Sequence, residues 1–351
     1  MTSTPSPQEL PPQARILDML LGMMKTRAIH EAVRLNLAEL VKDGPRSVTE
    51  LAQETQTHPV SLLRLLRALE GLGLFVEVEA EKYGQTALSH FLRPGVPGSM
   101  YDVAGIHGEQ WQWRPWESFS YSLQTGKTAF DQLFGMPLFE YFASRPHEGK
   151  GFQQAMAGFS RQVDNPLAQG YDYSAFSSIV DIGGGFGGLL TTILRAQPQL
   201  TGILFDLPSV IDAAHEQIAA SDIAPRCRLV DGDMFQAQEI PQGADAYIMK
   251  QIIKDWNDEA AVQILSNCRQ AMRPGGKILV AEQVILPGQH MLPAKLIDLQ
   301  LMVVLSGQER TEAEYRALFE KAGLTLARVV PTHSPYSILE GIAAGENPFP
   351  S

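Results

Sequence analysis

The sequence predicts an α/β protein whose carboxyl-terminal half forms a doubly wound, mostly parallel sheet. From Ser178 onward, apolar strand-like runs alternate with helical segments, which is typical of a parallel sheet with helices on both faces. Before residue 100, apolar residues instead recur at helical spacing and are followed by a helix-turn-helix and wing pattern. We therefore expect a disordered lead-in, a winged-helix dimerisation domain, a helical linker or substrate region and a ligand-binding α/β domain, at residues 1–12, 13–100, 101–175 and 176–351.

The composition disfavours several classes of protein. The net charge of −11 argues against nucleic acid as a partner, because phosphate binding needs clustered Lys and Arg. The two cysteines, Cys227 and Cys268, support neither a disulfide framework nor a cysteine-rich metal site, and the eight histidines form no close ligand pair, so no metal is expected. No apolar run of 18 residues and no basic-then-apolar leader is present, so the sequence predicts a cytoplasmic protein without membrane contact.

The amino-terminal segment carries an apolar stripe from Ala14 to about Val41. Such a stripe usually packs against another helix, and here that helix could belong to a second subunit of a homodimer. Its members are Ile16, Leu17, Leu20, Leu21, Met24, Ala28, Val33 and Leu37.

Residues 47–92 have the pattern of a winged helix. Ser47 and Glu50 form a capping box for a first helix, and a second helix should end at Gly71 and Gly73. The stretch 75–92 is expected to form the β-wing. This arrangement would also suit DNA binding, but the second helix offers only two arginines and the wing is acidic, so a dimerising role is favoured.

Residues 100–175 are predicted to be helical and are rich in aromatic residues, most of which should belong to the core. Some are expected to face a substrate cavity, since ligand sites often form at domain boundaries.

The stretch "VDIGGGFGGLL" follows a predicted strand and opens a helix. Gly183, Gly185 and Gly188 fit the spacing G-x-G-x-x-G, which alone is weak evidence for a nucleotide site and is also compatible with a tight turn that binds nothing. Glycines there allow the backbone to approach a ligand closely.

Three acidic residues favour one ligand over another. Asp181, Asp206 and Asp233 follow or end three successive strands, and such strand ends line one crevice. Asp206 could bind the ribose of either NAD or S-adenosyl-L-methionine. The other two suit a cationic amine and an adenine without phosphates, so S-adenosyl-L-methionine is the preferred cofactor.

Several segments in order make the chain resemble the small-molecule O-methyltransferases of the plant caffeic acid and bacterial polyketide-tailoring type. They are "VDIGGGFGG", "FDLPSVI", "GDMF", "DWNDE", "MRPGGKILVAE" and "GQERTEAEYRALFEKAGL". The resemblance covers residues 14 to about 345 and implies a Rossmann-like class I methyltransferase domain with a final antiparallel strand. It also implies that the winged-helix domain dimerises.

The resemblance assigns roles to matching positions. It implies cofactor contacts from residues of the glycine loop, the following strand ends and two flanking helical segments: Ser160, Asp181, Gly183, Gly185, Asp206, Leu207, Asp233, Met234, Phe235, Lys250 and Trp256. It implies substrate contacts from a second set: His107, Phe152, Met156, Phe159 and Met302.

The resemblance places a catalytic histidine, which removes the substrate hydroxyl proton, at the position that Lys254 occupies. Glu282 and Glu309 match the two glutamates that flank it, and Asp255 follows it. A lysine with its usual pKa of about 10.4 is neutral in only about one molecule in 2,500 at pH 7. Nearby carboxylates would favour the ammonium further, so Lys254 is expected to be an electrostatic stabiliser or proton donor rather than a base.

Three interpretations follow. In the first, the protein methylates an oxygen or nitrogen of an acceptor that is already acidic, or whose proton a desolvated Lys254 removes; the acceptor would be a small aromatic or polyketide-like metabolite. Alternatively, Lys254 and the cofactor charge polarise a carbonyl without methyl transfer, as in pericyclase-, hydroxylase- or decarboxylase-like tailoring enzymes. In the third, the protein is a regulatory dimer in which Lys254 is merely solvated beside Asp255 as the N-cap of a helix. His107 is the best candidate for a substitute base.

Overall fold

The computed structural model describes residues 11–288 and 291–345. The described part of the chain divides into two compact units. The first is formed by its residues up to Trp113 together with 146–158, and the second by 114–145 together with its residues from Phe159 onward. The segment 101–175, expected to be one region, is thus divided between the two units. The expected lead-in falls largely on residues 1–10, outside the described residues, and a helix begins at Pro12.

The first unit contains short helices and a three-stranded sheet. Its elements, with two helices that continue into the second unit, are α1 Pro12–Leu20, α2 Gly22–Arg34, α3 Leu37–Leu40, β1 Arg46–Ser47, α4 Val48–Thr55, α5 Pro59–Gly71, β2 Phe75–Glu79, β3 Lys82–Gln85, α6 Ala87–His90, α7 Tyr101–Ile106, α8 Gln110–Glu117 and α12 Pro146–Gln169.

The winged-helix pattern is present in this unit. Ser47 caps α4 in the expected box with Glu50, and α5 ends at Gly71 with Gly73 in the left-handed region. The antiparallel order β1-β3-β2 forms the wing. The wing is shorter than expected, because Thr86 accepts a hydrogen bond from the Ser89 amide and so starts helix α6 where further strand was predicted.

The second unit is built on a seven-stranded sheet. Its strands are β4 Ser178–Ile182, β5 Thr201–Asp206, β6 Cys227–Asp231, β7 Ala246–Lys250, β8 Lys277–Gln283, β9 Leu324–Pro331 and β10 Tyr336–Ala343. The order is β6-β5-β4-β7-β8-β10-β9, with the first five strands parallel and β10 antiparallel to both neighbours. The expected antiparallel strand at the end of the chain is therefore present, and it forms a hairpin with β9.

Helices cover both faces of this sheet. The helices of the unit are α9 Phe119–Thr125, α10 Ala129–Phe134, α11 Leu138–Ser144, α13 Gly188–Ala196, α14 Pro208–Ala219, α15 Asp258–Ala271, α16 Leu292–Val304 and α17 Glu312–Lys321. Alternate strand residues enter different cores: Leu204 packs with α13 and α14, whereas Phe205 packs on the side of α15 and α17. This arrangement confirms the doubly wound fold.

The strand order places the candidate ligand crevice at one point of the sheet. From β4 the chain winds outward through β5 to β6, and then crosses back to β7 and β8 on the other side of β4. The loops that follow β4 and β7 therefore meet at the topological switch point, where open α/β sheets bind ligands.

Candidate active site

The loop after β4 can be formed only by glycines at several positions. Gly183, Gly185 and Gly187 have φ of 65°, 59° and 75°, in the left-handed region. A Cβ added to Gly183 would lie 2.5 Å from Cδ1 of Ile252, which belongs to the loop after β7. The two loops of the switch point are thus in direct contact.

Two carboxylates lie at the ends of β4 and β5. Asp206 accepts hydrogen bonds from the amides of Gly185 and Leu207, at 2.8 and 2.7 Å. Asp181 is buried, and among the described residues its carboxylate oxygens have no partner of ordinary hydrogen-bond geometry. The Leu190 amide has only a small lowering effect on its pKa. Burial raises the pKa of Asp181 to about 7, although the nearby Lys250 ammonium opposes this.

Lys250, the last residue of β7, donates hydrogen bonds to Ser160 and Asp164 of α12. Sequence reasoning missed Asp164, whose side chain is almost fully buried. A signal was available, because Ser160 and Asp164 are four residues apart and so share one helix face.

The side of the crevice nearer β6 is aromatic. The ring of Trp256 lies edge-on to Phe235, with 4.7 Å between centroids, and stacks at 6.0 Å on Phe139. The carbonyl of Met234 accepts a hydrogen bond from Asn267, and the carboxylate of Asp233 accepts one from the Phe235 amide.

These residues fit S-adenosyl-L-methionine. A buried carboxylate without a cationic partner of its own, Asp181, suits a ligand that carries positive charge, while phosphates would be repelled there. The glycine backbone of the β4 loop allows close approach, and Asp206 lies where ribose hydroxyls are bound in such folds. Within the described ranges, no group of three or more His, Cys, Asp or Glu side chains is arranged to hold a metal ion.

Residues 251–257, named here the Lys254 loop, follow β7. The loop opens with Gln251 at φ 58°, an uncommon conformation for a residue other than glycine that costs about 1–3 kcal/mol and is often found at functional sites. It continues as a short 3-10 helix, Ile253–Asp255. The expectation of Asp255 as a helix cap is wrong: Asn257 caps α15 through a 3.0 Å bond from the Ala260 amide.

Lys254 is buried rather than solvated, which contradicts the regulatory interpretation on this point. The residue is 9% exposed, and its Nζ donates a 2.8 Å hydrogen bond to Asp255. Its backbone amide donates to Oε1 of Glu282 at 3.3 Å. Burial by itself would lower the pKa of Lys254, but the charges of Asp255, Glu282 and Glu309 outweigh it and raise that pKa above its usual value.

Glu282 and Glu309 are buried carboxyl groups with spare acceptor atoms. Oε2 of Glu282 and both oxygens of Glu309 have no hydrogen-bond partner among the described residues, nor has the hydroxyl of Tyr315 nearby. Burial and their mutual repulsion raise the pKa of Glu282, and burial raises that of Glu309. The charge of Lys254 opposes this rise in both glutamates, so the ammonium and the carboxylates favour each other's charged forms.

The segment before α17 contains residues that sequence reasoning missed. The amide of Glu309 donates to Asp298 of α16 at 2.8 Å. Arg310 is fully buried, and Gly307 packs so closely on the Lys254 loop that an added Cβ would lie 2.0 Å from the Lys254 carbonyl oxygen. The motif "GQERT" contained the signal, since a glycine and an arginine flank the recognised glutamate.

The expected substrate residues belong to both units. His107, Phe152 and Met156 lie in the first, where Nδ1 of His107 is 2.7 Å from the Val103 carbonyl of the preceding helix α7 and Phe152 packs edge-on to Trp111. Phe159 and Met302 lie in the second, Met302 half-buried on α16. Their role in substrate binding stays a prediction.

Comparison with known proteins extends over most of the chain. The family model for the O-methyltransferase domain matches residues 116–325, and the one for the O-methyltransferase dimerisation domain matches residues 17–94. Phenazine O-methyltransferase PhzM of Lysobacter antibioticus is 40% identical over 340 residues, which cover 97% of this chain and 99% of that protein. The 8-amino-8-demethylriboflavin N,N-dimethyltransferase of Streptomyces davaonensis is 30% identical over 343 residues, covering 96% and 98%.

Solved structures agree with these matches. The crystal structure of LaPhzM superposes with a TM-score of 0.91 at 40% identity, covering 95% of this chain and all of that one. The O-methyltransferase NcsB1 from neocarzinostatin biosynthesis, solved with S-adenosylmethionine and 2-hydroxy-5-methyl naphthoic acid, gives a TM-score of 0.80 at 30% identity, covering 91% and 96%. With its Rossmann-like sheet, its glycine loop and both matched domains, this chain belongs to the S-adenosylmethionine-dependent O-methyltransferase family.

Proposed function

We propose that the protein transfers a methyl group from S-adenosyl-L-methionine to an ionised hydroxyl of a small aromatic or polyketide-like metabolite, with Lys254 as an electrostatic group. The observation that carries this proposal is the buried Lys254 ammonium, held 2.8 Å from Asp255 at the switch point of the sheet. Relatives that methylate oxygen or nitrogen on aromatic compounds support the acceptor class.

The cofactor is assigned to the crevice between the β4 loop and Trp256. When bound, it supplies an electrophilic methyl group on a positively charged sulfur. Asp206 would hold the ribose and Asp181 would supply a buried negative charge. The further contacts proposed are those that the resemblance implies: Ser160, Gly183, Gly185, Leu207, Asp233, Met234, Phe235, Lys250 and Trp256.

The acceptor is expected to arrive already ionised. Lys254 is surrounded by carboxyl groups that raise its pKa, so it holds its protons at neutral pH and cannot take one from a neutral phenol. Its Nζ, which donates to Asp255, can instead stabilise an oxyanion. Glu282 and Glu309 support it by their charge, and Glu282 also accepts a hydrogen bond from the Lys254 backbone amide. Proximity and alignment of the acceptor then contribute the remaining rate acceleration.

A series of phenols of graded acidity tests this proposal. With labelled S-adenosyl-L-methionine at fixed pH 7, we expect kcat/KM to follow the ionised fraction, falling about tenfold for each unit by which the phenol pKa exceeds 7. S-adenosylhomocysteine should form in equal amount with the methylated product. Equal rates for acidic and weakly acidic phenols would contradict the role given to Lys254, whereas no transfer to any phenol would contradict the acceptor class.

The same assay separates the non-methylating alternative. A cyclisation, hydroxylation or decarboxylation that depends on the cofactor but releases no S-adenosylhomocysteine would favour that alternative. The family match and the methyltransferase relatives favour methyl transfer.

We also propose a cytoplasmic homodimer formed through residues 13–100, acting on a small molecule and not on nucleic acid. The dimerisation-domain match at residues 17–94 supports the homodimer. Among the described residues, no helix combines the length and apolar character that crossing a membrane requires.

A further inference from the structure

We propose that Arg310 is a positioning residue that fixes the Lys254 loop, and with it both Lys254 and Trp256, in the working conformation. The proposal rests on the proposed function for the role of Lys254. It concerns a residue that acts through its neighbours and does not itself touch the substrate.

The side chain of Arg310 is bound to both ends of the 3-10 helix in the Lys254 loop. Its guanidinium donates to the carbonyls of Ile253 and Trp256, at 3.1 and 2.9 Å. It also donates from Nε and Nη2 to Oδ1 of Asp258, the first residue of α15, at 3.2 and 2.9 Å. These bonds bracket Lys254 on either side.

The backbone of Arg310 is itself anchored on the sheet. Its carbonyl accepts a 2.9 Å hydrogen bond from the amide of Ile285, and the residue forms a parallel bridge with Val284, just after β8. Three residues earlier, Gly307 packs against the carbonyl of Lys254, where any side chain would collide. A fixed strand extension thus holds the Lys254 loop through one side chain and one close backbone contact.

The geometry requires arginine. A planar guanidinium has five N–H donors in a fixed fork, so one group can serve two carbonyls and a carboxylate at once. A lysine ammonium has only three donors on a flexible stem and cannot reach both ends of the 3-10 helix in the same way. The loop also contains the left-handed Gln251, a conformation that persists only when its surroundings hold it.

The consequence is a link between two functions of one loop. Lys254 faces the carboxyl cluster and Trp256 contacts Phe235 on the proposed adenine side. Loss of the guanidinium should therefore lower the rate of methyl transfer and the affinity for the cofactor together.

The experiment compares Arg310→Met and Arg310→Lys with a matched arginine outside the site. Arg226 is the control, because its guanidinium likewise donates to backbone carbonyls, those of Leu194, Gln197 and Leu200, at 2.8, 3.1 and 2.8 Å. We expect R310M to lower kcat about 30-fold or more and to weaken S-adenosyl-L-methionine binding several-fold, with partial recovery in R310K. R226M should lower Tm but leave kcat and cofactor affinity within twofold of the wild type.

A readout on the enzyme without ligands separates this inference from the proposed reaction. Hydrogen exchange of amides 251–257 should accelerate at least tenfold in R310M and stay unchanged in R226M. If the wild type methylates nothing, exchange and cofactor affinity still decide the role of Arg310. If R310M does not fold, R310K and Asp258→Asn replace it; the Asp258 side chain is half-exposed, so its substitution is mild. Both variants should show faster exchange in the Lys254 loop, lower kcat and weaker cofactor binding, each to a smaller extent. Unchanged exchange in the Lys254 loop, or equal losses of kcat in R310M and R226M, would overturn the proposal.

Discussion

Lys254 and the histidine that the resemblance implies at its position differ mainly in proton affinity. Sequence alone left two outcomes open, because burial lowers the pKa of a lysine and neighbouring carboxylates raise it. The structure contains both influences: the side chain is buried, and Asp255, Glu282 and Glu309 surround it. The carboxylates outweigh burial and shift the pKa of Lys254 upward, which favours the proposed ammonium over a desolvated base.

Asp181 provides a prediction about pH. Its pKa is 3.8 in an unfolded chain and about 7 in the folded protein, where burial disfavours the charge. Between these values the folded state keeps a proton that the unfolded state has lost, so stability falls as pH rises through that window. Asp181→Asn removes this titration. The unfolding free energy of D181N, relative to that of the wild type at the same pH, should therefore rise by about 2–3 kcal/mol from pH 5 to pH 8.

Chemical denaturation at the two pH values, without cofactor, measures this difference. Asp231→Asn is the control, because Asp231 is exposed at the end of β6 and the variant should follow the wild type. Parallel stability curves for the wild type and D181N would contradict the prediction. D181N should also bind S-adenosyl-L-methionine at least tenfold more weakly, since it loses the buried charge.

At the scale of elements, the β4 loop and the Lys254 loop make a second prediction. Gly185→Ala should lose about 1–2 kcal/mol from backbone strain alone, since no other atom lies within 4 Å of the added Cβ. Gly183→Ala should lose more, because its Cβ also meets Cδ1 of Ile252 at 2.5 Å. Ile252→Val removes that one atom, so the double variant G183A/I252V should be more stable than the sum of the single losses predicts.

A double-mutant cycle by thermal or urea unfolding measures the coupling, with G185A/I252V as the matched control. Additive losses in G183A/I252V, or equal coupling in both pairs, would show that the two loops do not meet as described.

Elements with strong local signals could be predicted from the sequence. The apolar runs gave the strands β4 to β8, and Ser47 with Glu50 gave the start of α4. The end of the wing and the cap of α15 were misplaced because neighbouring polar residues can each start a helix. The sequence pattern does not rank Thr86 or Asn257 above the polar residues near it. Arg310 and Asp164 act through partners on distant segments, so only the folded chain brings out their roles.

At the scale of the whole molecule, the first unit exposes an unusual amount of apolar side chain. Ile16, Leu17, Met19, Leu20 and Met24, on α1 and α2, are each more than half exposed in the single chain. Large apolar side chains exposed in this number on two consecutive helices are characteristic of an interface rather than of a free surface. This agrees with the dimerisation-domain match at residues 17–94. For four of the five residues, all but Met19, the helical spacing in the sequence had predicted packing against another helix, which could belong to a second subunit.

The prediction is that one charge on this surface dissociates the homodimer. Leu20→Glu places a carboxylate where the second subunit should cover an apolar side chain, and burying an unpaired charge costs several kcal/mol. Sedimentation at micromolar concentration should give one chain mass for L20E and two for the wild type. Leu123→Glu, on α9 of the second unit and 60% exposed, is the control and should remain a dimer. Because a dimer gains stability by mass action, the wild-type Tm should rise with protein concentration, whereas that of L20E should not. A dimeric L20E would place the interface elsewhere on the chain.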